Sequence, residues 1–243
     1  ETSTDSVVKT ISAGDTPKGI NLSRDNRWAY VINEGKKSNN VHVFDTSSFE
    51  RVATIPVGET PHNSELSPDE KLLYVTNTKS NSISVIDTAK NKVIHTIKDV
   101  GETPHNLAIT PDGKWLYVTL TKKNALASID TKKRKVKKII SVDEGHHVVD
   151  VAPDGKRAYV GNIGSKTVSV VDLNEGKVTA SIDVGSGPHG VAISQDGKLG
   201  YATVSGEDVL VVFDLQNNKV IEKISVGKFP FIVRIVALER DNP

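Results

Sequence analysis

The chain lacks cysteine and methionine altogether, and neither sign of charge is in clear excess. Without cysteine it can form neither disulfides nor thiolate metal sites, and it has no cysteine nucleophile. The formal net charge is +1, so overall charge does not indicate nucleic acid or an anionic membrane as a partner. No apolar run reaches the roughly 18 residues that a membrane-spanning helix needs. The missing methionine leads us to expect a processed or trimmed product of a longer reading frame.

What the chain does contain is an internal repeat, which its tyrosines mark. All five tyrosines occupy one repeat position, with spacings of 44, 43, 42 and 42 residues. In the third repeat, short β-branched and apolar segments bounded by turn residues predict strands at 106–110, 115–120, 125–129 and 136–140. Aspartates that recur in register, such as Asp87 and Asp112, are expected to close turns. Four strands in a unit of this length predict an all-β chain of four-stranded antiparallel β-propeller blades.

Two short motifs carry a resemblance to a known family. The letters YVTN at 74–77, followed by SVIDT at 84–88, resemble the YVTN β-propeller repeat. That family includes surface-layer and periplasmic propellers, and it is related in architecture to the lactonase-like, haem-d1 and nitrous-oxide-reductase propellers. The resemblance extends over nearly the whole chain and implies an extracytoplasmic protein, which is periplasmic, secreted or at the cell surface. It implies no single activity, because one fold hosts many functions.

The repeats predict a single propeller domain over residues 1–243, with five complete blades near 13–56, 57–99, 100–141, 142–183 and 184–225. The terminal segments 1–12 and 226–243 are expected to contribute to an incomplete closing blade. Residues 6–12 match a fourth strand and residues 231–236 match a first strand, and these two are not neighbours within a blade. Three explanations stay open: a six- or seven-bladed parent from which repeats are missing, an unusual five-bladed closure, or a partner chain that supplies strands.

One position near the start of each repeat holds the candidate site residues. In this architecture the loop into the first strand lies near the central axis, and the position there reads Lys18, His62, His105, His147, His189 and Phe231. The four histidines predict a metal site for copper, zinc or haem iron at one mouth of a central channel. Among the related propellers, histidines hold a copper cluster in nitrous-oxide reductase and reach the haem in haem-d1 proteins. Alternatively, the histidines are structural, and Lys18 and Phe231 argue against a full ring of metal ligands.

These observations favour a non-catalytic binding or scaffold propeller, which presents loops and a central channel to a protein, a glycan or a small ligand. No nucleic acid partner is expected. The first alternative is a metal- or haem-binding propeller. The second is a lactonase-like hydrolase, for which Glu59, Glu102 and Glu144 precede three of the histidines by three residues. The lysine-rich run at 132–138 is expected to protect an outer strand against edge pairing.

Overall fold

A computed structural model describes residues 3–4, 6–35 and 38–235, without the side chains of His146 and His147. Over these residues, twenty strands form five antiparallel sheets of four strands each. The strands of every sheet are hydrogen-bonded in chain order, which is the up-and-down arrangement of a propeller blade. The prediction of an all-β chain with five complete blades is confirmed. No helix in this part of the chain is long and apolar enough to cross a membrane.

The strand bounds follow, blade by blade. Blade one comprises β1 Pro17–Leu22, β2 Trp28–Asn33, β3 Asn40–Asp45 and β4 Arg51–Pro56. Blade two comprises β5 Pro61–Leu66, β6 Leu72–Asn77, β7 Ser82–Asp87 and β8 Lys92–Ile97. Blade three comprises β9 Pro104–Ile109, β10 Trp115–Leu120, β11 Ala125–Asp130 and β12 Lys135–Ser141. Blade four comprises β13 His146–Val151, β14 Arg157–Asn162, β15 Thr167–Asp172 and β16 Lys177–Asp183. Blade five comprises β17 Pro188–Ile193, β18 Leu199–Val204, β19 Val209–Asp214 and β20 Lys219–Ser225.

The recurring aspartates close the hairpins of each blade, as the sequence predicts. In the turn between β9 and β10, Asp112 accepts a hydrogen bond from the Thr110 hydroxyl at 2.7 Å and one from the Lys114 backbone N–H at 3.0 Å. These bonds, the Thr110 bond first, lower the pKa of Asp112 to about 2. In the turn between β11 and β12, Asp130 accepts the backbone N–H of Lys133 at 2.7 Å. The carboxylates therefore satisfy turn amides that the sheet leaves unpaired.

Within each compact unit, a hydrophobic core lies between the faces of neighbouring blades. The chain divides into two compact units, Glu1–Thr96 and Ile97–Pro243. In the first unit, alternate residues of blade one such as Tyr30 pack against residues of blade two such as Leu73. In the second unit, Tyr159 of blade four lies fully buried against Phe213 of blade five. Tyr30, Tyr117 and Tyr159 thus serve packing between blades, while the assignment of all 243 residues to one domain stays a prediction.

Polar side chains also join the first strands of consecutive blades. In the first unit, the Asn21 side-chain amide donates to the Ser64 carbonyl at 2.6 Å. In the second unit, the Asp150 carboxylate accepts the backbone N–H groups of Ile193 at 2.8 Å and Val151 at 2.9 Å. Burial raises the pKa of Asp150, and the two amides oppose that effect. These contacts fix the register of the strands that carry the candidate site residues.

The two terminal segments predicted to be strands of a closing blade form no strand in the described residues. Residues 6–12 and 231–235 lie outside every sheet, and residue 236 lies outside the described range. The physical reason is that neither segment has a neighbouring second or third strand with which to form a ladder. Residues 231–235 follow blade five instead, where the carbonyl of Phe231 accepts a hydrogen bond from the Thr203 hydroxyl at 3.1 Å.

Candidate functional site

The candidate site residues share a place in their blades. Five of them are the second residue of a first strand, and the sixth follows blade five; in order they are Lys18, His62, His105, His147, His189 and Phe231. Because each first strand pairs with the second strand antiparallel, its start lies beside the end of its neighbour, as in the pair Pro17–Asn33. The residue just after the second strand therefore lies near the site position. In blades one and five that residue is Glu34 and Ser205.

In the first unit, Lys18 and His62 meet at one carboxylate. The ammonium of Lys18 lies 3.4 Å from Glu34 Oε2, and His62 Nδ1 lies 3.9 Å from the same oxygen. All three side chains retain solvent exposure, which makes the ion pair weak in stability terms but accessible to a ligand. We call these three residues the Glu34 cluster. It can offer both a cation and a carboxylate to a polar ligand.

In the second unit, His189 and Phe231 meet in an aromatic group. Their ring centroids lie 4.4 Å apart, and the ring of Phe229 lies 5.5 Å from that of His189. His189 is partly buried, whereas Phe229 is 60% and Phe231 is 48% exposed. We call these residues, with Ser205, the His189 cluster. It presents apolar ring faces to solvent beside an imidazole, an arrangement that suits a flat ligand surface.

Ser205 determines which nitrogen of His189 carries the proton. The Ser205 hydroxyl donates its one proton to the carbonyl of Gly187 at 2.9 Å, and it lies 2.8 Å from His189 Nδ1. With its proton on the Gly187 carbonyl, the hydroxyl oxygen accepts from Nδ1–H, and in that tautomer of the neutral imidazole Nε2 is the acceptor nitrogen. Burial lowers the pKa of His189, which favours this neutral form. The ring thus combines an apolar face with one hydrogen-bond acceptor.

The lowered pKa of His189 predicts a dependence of stability on pH. A histidine whose pKa is lower when folded stabilises the native state above its ordinary pKa of about 6.5, and that contribution is lost as the pH falls through the folded value. We expect the melting temperature to fall less between pH 7.5 and pH 5 in His189→Phe than in the wild-type protein. Thermal unfolding of both proteins at pH 7.5 and pH 5 measures this fall in melting temperature. His95→Gln is the control, because it replaces an exposed imidazole. An equal fall in His189→Phe would contradict the prediction.

In the part of the chain that the structure describes, the predicted histidines and the nearby Glu59, Glu102 and Glu144 do not form a metal centre. His105 is partly buried in β9, and the side chain of His147 lies outside the described residues. Among the side chains that the structure describes, no three histidine, aspartate or glutamate groups could hold a metal ion together. Glu59 pairs with Lys79 at 3.0 Å, and Glu102 and Glu144 are exposed. The metal site therefore stays a prediction.

The sequence reasoning missed Glu34, Ser205 and Phe229. The first two follow the last residue of a second strand, and the hairpin register alone could have placed them beside the site position. Phe229 occupies the repeat position of Thr60 and Thr103 and shares their positive φ, so the alignment that identified Phe231 could also have found it two residues earlier.

Comparisons with known proteins agree on the architecture. The model of the YNCE-like beta-propeller family matches residues 101–238, and the model described as "Lactonase, 7-bladed beta-propeller" matches residues 2–149. No curated protein matches the sequence. The YVTN assignment stays a prediction.

Two solved structures illustrate the similarity. Kuenenia stuttgartiensis hydrazine synthase is 20% identical, with a TM-score of 0.67 over 93% of this chain and 92% of that chain. A functionally unknown protein from Desulfotomaculum acetoxidans DSM 771 is 17% identical, with a TM-score of 0.70 over 87% of this chain and 74% of that chain. At these identities the likeness shows the fold alone.

Proposed function

We propose that this chain, which belongs to the YNCE-like and seven-bladed lactonase families of β-propellers because each family model matches more than half of it, is a non-catalytic binding propeller. Its ligand contacts the His189 cluster. The observation that carries this proposal is the pair of exposed rings, Phe229 and Phe231, beside the imidazole of His189. Exposed aromatic groups held by a rigid scaffold are typical of recognition sites.

The chemistry of the cluster limits the ligand. The exposed rings of Phe229 and Phe231 offer apolar contact area, and the His189 imidazole adds a polar group beside them. A ligand with a flat, uncharged face and a donor at its edge fits this combination, as an aromatic peptide side chain or a neutral sugar does. The Glu34 cluster supplies a separate, charged contact in the first unit.

The proposal predicts binding without turnover. Calorimetry with a panel of neutral oligosaccharides and aromatic tripeptides should find a saturable ligand, and Phe231→Ala should weaken its binding at least about tenfold, as expected for an aromatic anchor. Phe49→Asn is the matched control, since it removes another exposed phenylalanine, and its backbone φ of 62° suits asparagine. Equal binding by the wild-type protein and Phe231→Ala would overturn the proposal.

Two alternatives have their own tests. Lactonase-like hydrolysis is favoured by the family match at residues 2–149. Turnover of a lactone panel by the wild-type protein that is lost in Glu102→Ala would replace the binding proposal.

Metal or haem-iron binding through His62, His105, His147 and His189 would be supported by a rise in melting temperature with copper(II) or zinc(II). That rise should vanish when His105 and His147 both become alanine.

We also propose an extracytoplasmic location and a partner for the open face of blade one. The location rests on the resemblance to surface-layer and periplasmic propellers, and fractionation of the source cells tests it.

On β1, Ile20 is 64% and Leu22 is 52% exposed, which supports cover by further repeats or by a second copy. Sedimentation of the intact natural product as a monomer of five blades would contradict this part.

A further inference from the structure

A second candidate site lies away from the first-strand positions, on the outer side of blades three and four within the second unit. A cavity of about 250 Å³ opens there. Aromatic and aliphatic side chains and two lysines line it, among them Trp115, Tyr117, Ile140, Leu173, Lys137 and Lys138. Its volume matches a single six-membered ring with its substituents, just below the usual range of small-molecule pockets.

A β-bulge brings the two lysines into the same cavity. In the hairpin of β11 and β12, Lys138 pairs with Ser128 while Val136 pairs with Ile129, so that Lys137 is an extra residue. A bulge of this kind re-aims the side chain of the extra residue. Consecutive residues of a regular strand point to opposite faces, but here both Lys137 and Lys138 line the cavity. Two lysine side chains therefore border one cavity.

The bulge itself does not require lysine. The same register shift occurs in the outer hairpins of blades one, four and five. The residues at the two equivalent positions there are Val52-Ala53, Thr179-Ala180 and Ile221-Glu222. Protection of a strand edge explains exposed lysines such as Lys135. It does not explain why blade three alone among these four has two lysines that line a cavity together with Trp115 and Tyr117.

Gly176 also lines the cavity. It lies in the turn between β15 and β16 at a φ of 63°, and a Cβ there would lie 2.8 Å from Lys138 Cδ. The equivalent turn positions in blades two and five hold Asn91 and Asn218, also at positive φ. The Lys138 ammonium donates to the Glu175 carbonyl at 2.9 Å, which holds that charge at the cavity, while the Glu175 carboxylate pairs with Lys177 at 2.7 Å.

We propose that this cavity binds a six-membered ring that carries a carboxylate. The ring lies on Trp115, and the carboxylate contacts the ammonium groups of Lys137 and Lys138. Tyr117 stays a neutral side chain in the cavity wall, because burial raises its pKa to about 12. Sugar acids and aromatic acids both combine a six-membered ring with a carboxylate, and titration with one of each shows which class the cavity binds. The site is independent of the His189 cluster.

Tryptophan fluorescence provides a direct measurement. The chain has two tryptophans, so Trp28→Phe leaves Trp115 as the sole reporter. We titrate this protein with glucuronate and with 4-hydroxybenzoate, and with glucose and phenol as uncharged counterparts. The expected result is a saturable change with one of the acids and at least tenfold weaker binding of its uncharged counterpart. No saturable change with either acid, or a response to a DNA strand alone, would overturn the proposal.

Three variants locate the site. Lys137→Thr with Lys138→Ala copies the residues of blade four, and it should abolish the response while keeping the bulge. Lys132→Ala with Lys135→Ala removes the same charge outside the cavity and should leave the affinity within about twofold. Gly176→Asn introduces the residue that blades two and five have at this turn position, so the turn should be preserved. The added side chain fills the cavity and should weaken binding at least tenfold. An equal loss in both lysine pairs would show a general counterion effect and overturn the proposal.

Discussion

Asn77→Leu is expected to lower the free energy of unfolding by roughly 2–5 kcal/mol, because it leaves several buried polar groups without a partner. Asn77 is fully buried at the end of β6. Its amide nitrogen donates to the hydroxyls of Ser82 at 3.1 Å and Ser84 at 3.0 Å, and its carbonyl oxygen accepts the backbone N–H of Gly58 at 3.0 Å. Leucine has a similar volume, so the loss measures polar satisfaction rather than a cavity.

The residues of blade three show which further substitutions should restore the stability that Asn77→Leu loses. At the positions of Asn77, Ser82 and Ser84 it holds an apolar set, which is Leu120, Ala125 and Ala127. Replacing all partners of a buried hydrogen bond by apolar groups is close to neutral, whereas replacing one is costly. The triple variant Asn77→Leu, Ser82→Ala, Ser84→Ala should therefore regain more than half of the lost stability, with the Gly58 N–H accounting for the rest. Urea unfolding measures all the variants, and a triple variant as unstable as Asn77→Leu would refute this account.

The same comparison shows how much of the fold the sequence predicts and why. The tyrosine register and the recurring aspartates identify five blades, because packing between blades and turn amides require these side chains at fixed offsets. The asparagine of the YVTN letters also has a local reason, since Asn77 joins a hairpin to the preceding loop. Periodicity therefore predicts whatever a blade needs for its own folding. It also predicts strands in 6–12 and 231–236, but the described residues of these two segments form none, because a strand there depends on partners elsewhere.

The candidate site was less predictable, because its contacts depend on pairs of segments. The repeat position identifies His62 and His189, but their polar partners, Glu34 and Ser205, follow from the hairpin register. The second cavity depends on a bulge that places Lys137 beside Lys138, whereas a reading of the lysine-rich run as a uniform edge predicts no cavity at all. Register and bulges are properties of paired strands, and composition does not show them.

Gly200 and Phe213 provide the second large expected effect, at the centre of the core between blades four and five. They are directly paired across β18 and β19, and Phe213 is fully buried. A Cβ on Gly200 would overlap the Phe213 ring, which also packs against Tyr159 with 6.2 Å between ring centroids. Gly200→Ala should therefore cost about 1–3 kcal/mol, because an overpacked ring has nowhere to move. Phe213→Val alone should cost roughly 2–4 kcal/mol through the cavity that it leaves.

The neighbouring blade shows that the two changes compensate each other. Its equivalent cross-strand pair is Ala158 and Val171, both fully buried. In Gly200→Ala with Phe213→Val, the new methyl group occupies part of the space that the ring leaves. The double variant should therefore be more stable than the sum of the single losses by about 1–2 kcal/mol, which is a coupling typical of residues in contact. Thermal and urea unfolding of the four proteins measure that coupling. Strictly additive losses would mean that the overlap is relieved by a shift of the backbone rather than by the size of the facing side chain.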